Sequence, residues 1–350
     1  MPTATRLSVV AALFCGCAGT GGYVDWWDPD KSPVVPVGGT APVHGDAGAA
    51  VEGGGAHDAG AAEAGAESGP PAGPIHTVFF VLMARQPWSA IEGSASAPYV
   101  NGTLLHAGAH ATAYYAAPAQ DALSLPNVLW LEAGQDFGFT RNVAPPGNTS
   151  ATKNHLVDQL EAAGVTWKAY VQGATAGQCP IADNPPMRTW HVPFVYFDDV
   201  VGNPASTAAK RCVQHVVPIA DLAADLASGA APRYAFVVPD FCHDMHDDCN
   251  TGDRIRQGDD WLAAAVPPIL ASKTYAAGGA VLVAWDYTDT GYLPIGMIAL
   301  SPKARAGYAS PTKHTTSSTL RTLQRIFGTS PYLGDAANAD DLGELFTSFP

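Results

Sequence analysis

From about residue 75 onward, short apolar runs alternate with segments whose apolar residues recur at helical spacing. His76 to Met83 is a strand-length apolar run that stops abruptly at Ala84-Arg85-Gln86-Pro87-Trp88. "TWKAYV" alternates like a strand, "RYAFVVP" and "AVLVAW" are apolar runs followed by acidic residues, and "GMIALSP" is a further strand. Between them lie helical patterns at Pro98 to Ala107, at Leu125 to Ala133 and in "NHLVDQLEAAG", where Gly164 is a natural C-terminal stop. "PIADLAADLASG" opens with proline and closes with glycine, the usual helix asymmetry, and "STLRTLQRIFG" is a final helix. The alternation predicts an α/β fold with a mostly parallel sheet covered by helices on both faces.

The first 73 residues read differently. Arg6 followed by the apolar stretch Leu7 to Phe14 has the form of an export signal over residues 1–17, too short to span a bilayer. Phe14-Cys15-Gly16-Cys17 resembles a bacterial lipoprotein processing site, which makes Cys17 the expected point of lipid attachment. Residues 18–73, rich in Gly, Ala, Asp, Glu and Pro, cannot bury enough surface to offset ordering and read as a flexible tether. The folded domain is expected over residues 74–350. The protein is thus expected outside the cytoplasm: lipid-anchored to the cell envelope, otherwise periplasmic or secreted, and touching membrane only through that anchor.

Export changes the meaning of the cysteines. Beyond Cys15 and Cys17 there remain Cys179, Cys212, Cys242 and Cys249, an even number that suggests two disulfides. Three pairings are possible. Cys179–Cys212 with Cys242–Cys249 is favoured, the second closing a short loop; a zinc site lacks the usual close-paired spacing.

The charge balance, 18 Lys+Arg against 32 Asp+Glu for a net charge of -14, repels a nucleic-acid backbone. A small phosphate ester stays compatible with it, because one metal ion or arginine reverses the field locally. Three polar groupings end strand or helix patterns. Ser124, just ahead of a helix, is by default a cap. "PDFCHDMHDDCN" gathers Asp240, His243, Asp244, His246, Asp247 and Asp248, a ligand set suited to a divalent cation or else a solvated acidic turn. Asp286 ends an apolar strand, where α/β enzymes place metal ligands and where caps also occur.

Taken together, "APYVNGTLLHAGAHATAYYA", "SLPNVLWLEAGQDFG", "LVDQLEAAGVTWKAYVQ", "HVPFVYFDDV", "VVPIADLAADLASG", "DMHDDC", "WLAAAVPPIL" and "STLRTLQRIFG" resemble the phosphoesterase family of bacterial acid phosphatases and phospholipases C. That family sits within the alkaline-phosphatase-like superfamily, and the resemblance runs from about residue 75 to 330. It implies hydrolysis of phosphoric esters by a serine nucleophile beside a bound divalent metal cation, acting on a small phosphate ester or a phospholipid head group. Ser124 falls on the nucleophile and Asn127 on the asparagine of the same motif. Asp244, His246 and Asp286 fall on metal ligands, and His191 on a recurrent histidine near the site.

Several positions depart from the family pattern. Ala84-Arg85 stands where Glu-Asn is expected, Tyr287 where a glutamate is expected, and Ala122-Leu123 where His-Pro is expected. Thr316 stands at a late metal-binding histidine, with His314 two residues away. Replacing Glu-Asn by Ala-Arg makes the site two charges more positive, so the Arg85 guanidinium either holds phosphate in the lost metal's place or is a surface residue on a decayed site. The lost ligands also fit a catalytically inactive relative that binds a phosphorylated or other anionic ligand at the cell surface.

Overall fold

The computed structural model describes residues 73–117, 123–249 and 252–350. The signal segment 1–17 with Cys17, the tether through residue 72, and Ala122 lie outside the described residues.

Ten short strands are described: β1 (Thr77–Met83), β2 (Ala109–Ala111), β3 (Tyr114–Tyr115), β4 (Trp167–Val171), β5 (Val216–Pro218), β6 (Tyr234–Val238), β7 (Gly279–Trp285), β8 (Met297–Leu300), β9 (Ala309–Ser310) and β10 (His314–Thr315). Eight of them form one sheet in the order β5-β4-β6-β1-β7-β8-β2-β9, and β10 with β3 makes a small second one. From β5 to β7 every pairing is parallel. The "GMIALSP" strand, β8, runs antiparallel to both its neighbours, β7 and β2. The sheet is therefore mostly parallel, flanked by helices, as the alternation predicts.

The apolar runs explain the strand order. All residues of β1, β6 and β7 are buried, and a strand covered on both faces must be apolar throughout rather than alternating. β1 lies between β6 and β7, with Phe80 of β1 stacked on Phe236 of β6 at 5.2 Å. Helices form at Ser124–Ala133, Leu156–Ala162, Asp221–Ser228, Arg254–Leu270 and Thr316–Phe327. The Leu156–Ala162 helix gives way to Gly164 at φ 68°, a left-handed stop open to glycine at no steric cost. Both favoured disulfides are present, Cys179–Cys212 and Cys242–Cys249.

Candidate active site

Three parallel strands end side by side. β1 runs out into Ala84-Arg85, β6 leads to Asp240 and the loop through Asp244, and β7 delivers Asp286. In open parallel sheets this carboxyl edge is where ligands bind. Backbone bonds lock the three endings together. Asp286 N donates to Met83 O at 3.1 Å, and Ala84 N donates to Asp244 O at 2.8 Å.

The carboxylates are aimed by two unusual residues. Arg85 (φ 61°) and Met245 (φ 74°) take left-handed backbone conformations that cost side-chain-bearing residues energy, and such strain collects at functional sites. The Arg85 kink turns its own N–H toward Asp286 Oδ1 at 3.3 Å. Beyond the Met245 kink, His246 N donates to Asp244 Oδ1 at 2.8 Å. Gln86 Nε2 donates to Met245 O at 2.7 Å and braces the second kink. Each carboxylate thus has one oxygen tied to backbone and the other left for the site.

Those second oxygens converge on His191. Its Nδ1 is 3.1 Å from Asp244 Oδ2, and its Nε2 is 3.4 Å from Asp286 Oδ2 and 3.0 Å from Ser124 Oγ. Ser124, Asp244 and Asp286 are fully buried and His191 is 1% exposed, so these four groups interact with little screening. Burial alone pushes the imidazole pKa down. The Asp244 and Asp286 carboxylates outweigh burial and raise it to about 9. Phe241 packs on His191 at 4.6 Å and on His246 at 4.0 Å between ring centroids.

Ser124 is not a helix cap. Leu123 occupies the cap position without a side-chain capping bond, and Ser124 is the first helical residue, its hydroxyl on His191. Asn142 Oδ1 instead accepts from Leu125 N at 3.0 Å and satisfies that helix end. Asn127 Nδ2 donates back to Leu123 O at 2.8 Å, which fixes the turn before the serine.

Asp244 Oδ2 and Asp286 Oδ2 are buried and make no hydrogen bond of good geometry. With Ser124 Oγ they are oxygen donors of the kind a hard divalent cation takes, and the His191 ring lies between the two carboxylates. His246 is turned elsewhere: its Nδ1 lies 2.7 Å from Asp247 Oδ1 and its Nε2 3.2 Å from the Tyr287 hydroxyl. Of the two readings of Arg85, the surface one matches its side chain, which pairs outside the His191 cluster. Its Nε donates to Asp289 Oδ2 at 2.9 Å, because the left-handed kink sends the side chain toward the partly exposed loop after β7. His314 lies 2.8 Å from Glu344 Oε1, and Thr316 Oγ1 accepts from Ala117 N at 3.2 Å, so neither supplies the late imidazole ligand.

A second polar cluster escaped the sequence reading. His155 lies 3.0 Å from Glu132 Oε1 and 3.3 Å from Asp199 Oδ1, with Asp158 beside it. Arg211 pairs with Asp158, Glu161 and Asp199, which supplies the positive charge those acids need. This network ties the helix of Ser124 to the segment behind it. Its members are far apart in sequence and no local spacing announces it.

Residues 104–330 match the family model described as the Phosphoesterase family. A phosphatidylinositol-3-phosphatase of Mycobacterium tuberculosis is 28% identical over 271 residues, which cover 77% of this chain and 82% of that protein. A solved structure of a glycosaminoglycan-metabolism protein from Bacteroides thetaiotaomicron superposes with TM-score 0.50 at 13% identity, over 78% of this chain and 82% of the other. A phosphonate monoester hydrolase of Agrobacterium radiobacter superposes with TM-score 0.49 at 13% identity, over 78% of this chain and 77% of that one. The family match takes in most of the folded residues, including Ser124, His191, Asp244 and Asp286, and the chain belongs to the phosphoesterase family.

Proposed function

We propose that this protein hydrolyses phosphoric esters outside the cytoplasm with Ser124 as its nucleophile. The observation that carries the reading is the Ser124 hydroxyl 3.0 Å from His191 Nε2, with that imidazole set between two buried carboxylates. Ser124 Oγ attacks phosphorus in line, forming the O–P bond as the bond to the leaving oxygen breaks. Its proton passes to His191 Nε2. Asp244 and Asp286 orient the ring and stabilise the imidazolium that results. His191 Nε2 passes the proton to the leaving oxygen, takes another from the water that attacks the phosphoserine, and returns it to the serine oxygen as the serine O–P bond breaks. Asp244 and Asp286 would hold a divalent cation if one is bound, and it would supply positive charge to the reacting oxygens. Without a cation the two carboxylates favour a proton on His191, and a cation on the same oxygens would lower that preference.

The substrate class is a small phosphate ester or a phospholipid head group, and the name of the mycobacterial relative supports the latter. The two disulfides support an oxidising compartment, and the residues around Cys17 support a lipid anchor. One observation favours a binding-only relative instead. Ala84 brings no donor to the end of β1, and the Tyr287 hydroxyl engages His246.

The test is hydrolysis of nitrophenyl phosphate and of bis-nitrophenyl phosphate by the full chain, with EDTA or with added Mg²⁺, Mn²⁺, Ca²⁺ or Zn²⁺. Hydrolysis is expected, falling to background in Ser124→Ala. Equal rates in both proteins would remove Ser124 from the mechanism. No rate under any metal, with vanadate still bound, would leave the binding-only reading.

A further inference from the structure

The loop that follows the Ser124–Ala133 helix encloses a cleft of about 250 Å³, lined by Phe137, Phe139, Thr140, Arg141 and Asn148 among others. Its location is fixed from two sides. Asn142 Oδ1 accepts from Leu125 N at 3.0 Å, so the loop closes over the helix end that carries Ser124. Val143 O accepts from the Tyr196 hydroxyl at 2.5 Å, and the ring of Phe139 meets that of Tyr196 edge-on at 5.9 Å. Tyr196 ends the turn Pro193–Tyr196 that directly follows His191. The loop that carries the cleft is therefore bonded both to the nucleophile's helix and to the segment after His191.

Arg141 stands out chemically. Among the described arginines, the other nine engage a carboxylate, a carbonyl oxygen or an aromatic ring. Arg141, which is exposed, engages none, although the chain carries 32 acidic residues to 18 basic ones. A guanidinium left unpaired in so acidic a protein, at the wall of a cleft with aromatic sides, matches an acidic group on a ring or a short carbon skeleton. The volume suits a group of about one ring.

We propose that this cleft is a subsite for the leaving-group side of the ester, with Arg141 as the receptor for a second acidic group on that side. The substrates favoured are phosphate esters whose alcohol carries a carboxylate or another phosphate. The proposal rests on Ser124 being the nucleophile, and its test separates the two. Phenyl phosphate and 4-carboxyphenyl phosphate are compared as substrates of the full chain and of Arg141→Ala, Arg141→Lys and Lys273→Ala. Lys273 starts a short helix ahead of β7, at the opposite edge of the sheet, and serves as the control.

The wild-type protein is expected to favour the carboxylated ester in kcat/KM by about fivefold, the upper range for an exposed ion pair. Arg141→Ala is expected to abolish that preference, Arg141→Lys to keep part of it and Lys273→Ala to keep all of it. An unchanged preference in Arg141→Ala, or an equal fall for both esters, would overturn the subsite. If neither ester is turned over, calorimetric binding of the same two esters replaces the rates. A carboxylate-dependent affinity lost in Arg141→Ala then upholds the subsite while the nucleophile reading fails. Equal affinities in all four proteins overturn the subsite as well.

Discussion

Replacing His191 by glutamine is the sharpest single perturbation of this molecule. Glutamine keeps a polar side chain of similar reach but cannot be cationic. Two fully buried carboxylates, 3.1 and 3.4 Å from the ring, then lose their positive partner. The rise of the His191 pKa from 6.5 to about 9 measures how strongly they favour the imidazolium. At about 1.4 kcal/mol per pKa unit the rise corresponds to about 3 kcal/mol of stability, an upper bound because burial also favours protonating Asp244. The folded pKa lies above the unfolded one. The stabilisation is therefore complete below about pH 6.5 and is lost as pH rises through about 9. Urea unfolding in EDTA at pH 6.5 is expected to show His191→Gln destabilised by about 2–3 kcal/mol, with the gap to wild type closing by pH 9.5. His155 is also buried and, held by Asp199 and Glu132 against burial, has a pKa raised to about 9. The alkaline loss in wild type is thus shared, and about half should survive in His191→Gln. A variant as stable as wild type at pH 6.5, or a gap that does not narrow with pH, would refute the placement of His191 as the cation between these acids.

Two further substitutions probe the kinks that aim the carboxylates. Arg85→Gly removes a side chain whose contact is a partly exposed pair with Asp289 and relieves a φ of 61°, so stability should stay within about 1 kcal/mol of wild type. Vanadate inhibition should also be unchanged, and a tenfold weaker inhibition would return the guanidinium to the site. Gly258→Ala puts a methyl into Met245 Cγ and within 3.2 Å of the His243 carbonyl oxygen. Overpacking of that kind costs about 1–3 kcal/mol, and here it pushes on the turn between Asp244 and His246. A fall in kcat larger than the stability loss explains, read at a temperature where the variant is fully folded, is the expected result. An unchanged kcat would separate that turn from catalysis.

The strands that build the centre of the sheet were legible because both faces of each are covered. β1, β6 and β7 are uninterrupted apolar runs, and their endings are where Asp244 and Asp286 were expected. The direction of β8 was not legible, since an apolar run carries no mark of parallel or antiparallel pairing. β2, β3, β9 and β10 have two or three residues each and present too short a pattern to register. Ser124 was visible through resemblance alone, because local rules make a serine at a helix start a cap. Only the structure shows Asn142 closing that end from 17 positions away. The choice between a phosphate-holding and a surface Arg85 was open for a related reason. Charge balance along the sequence has no access to φ, and a left-handed residue turns its side chain away from the direction a strand end suggests.

The departures from the family pattern also become intelligible as a set. Ala84, where the resemblance implies a glutamate, is fully buried and brings no carboxylate to the end of β1. Tyr287, in place of another glutamate, is uncharged, and burial followed by Asp286 pushes its hydroxyl pKa well up. Beside the pattern the resemblance implies, the site has two fewer carboxylates and has Asp244 and Asp286. One imidazolium offsets half of what remains. The residual single negative charge sits where each carboxylate still has a buried oxygen without a hydrogen bond. A fully buried charge of that kind is costly unless something positive reaches it. The same deficit that makes the remaining set a small one for metal thus gives it a reason to bind a cation together with substrate. On this reasoning metal affinity, weak in the free protein, should tighten when vanadate occupies the site.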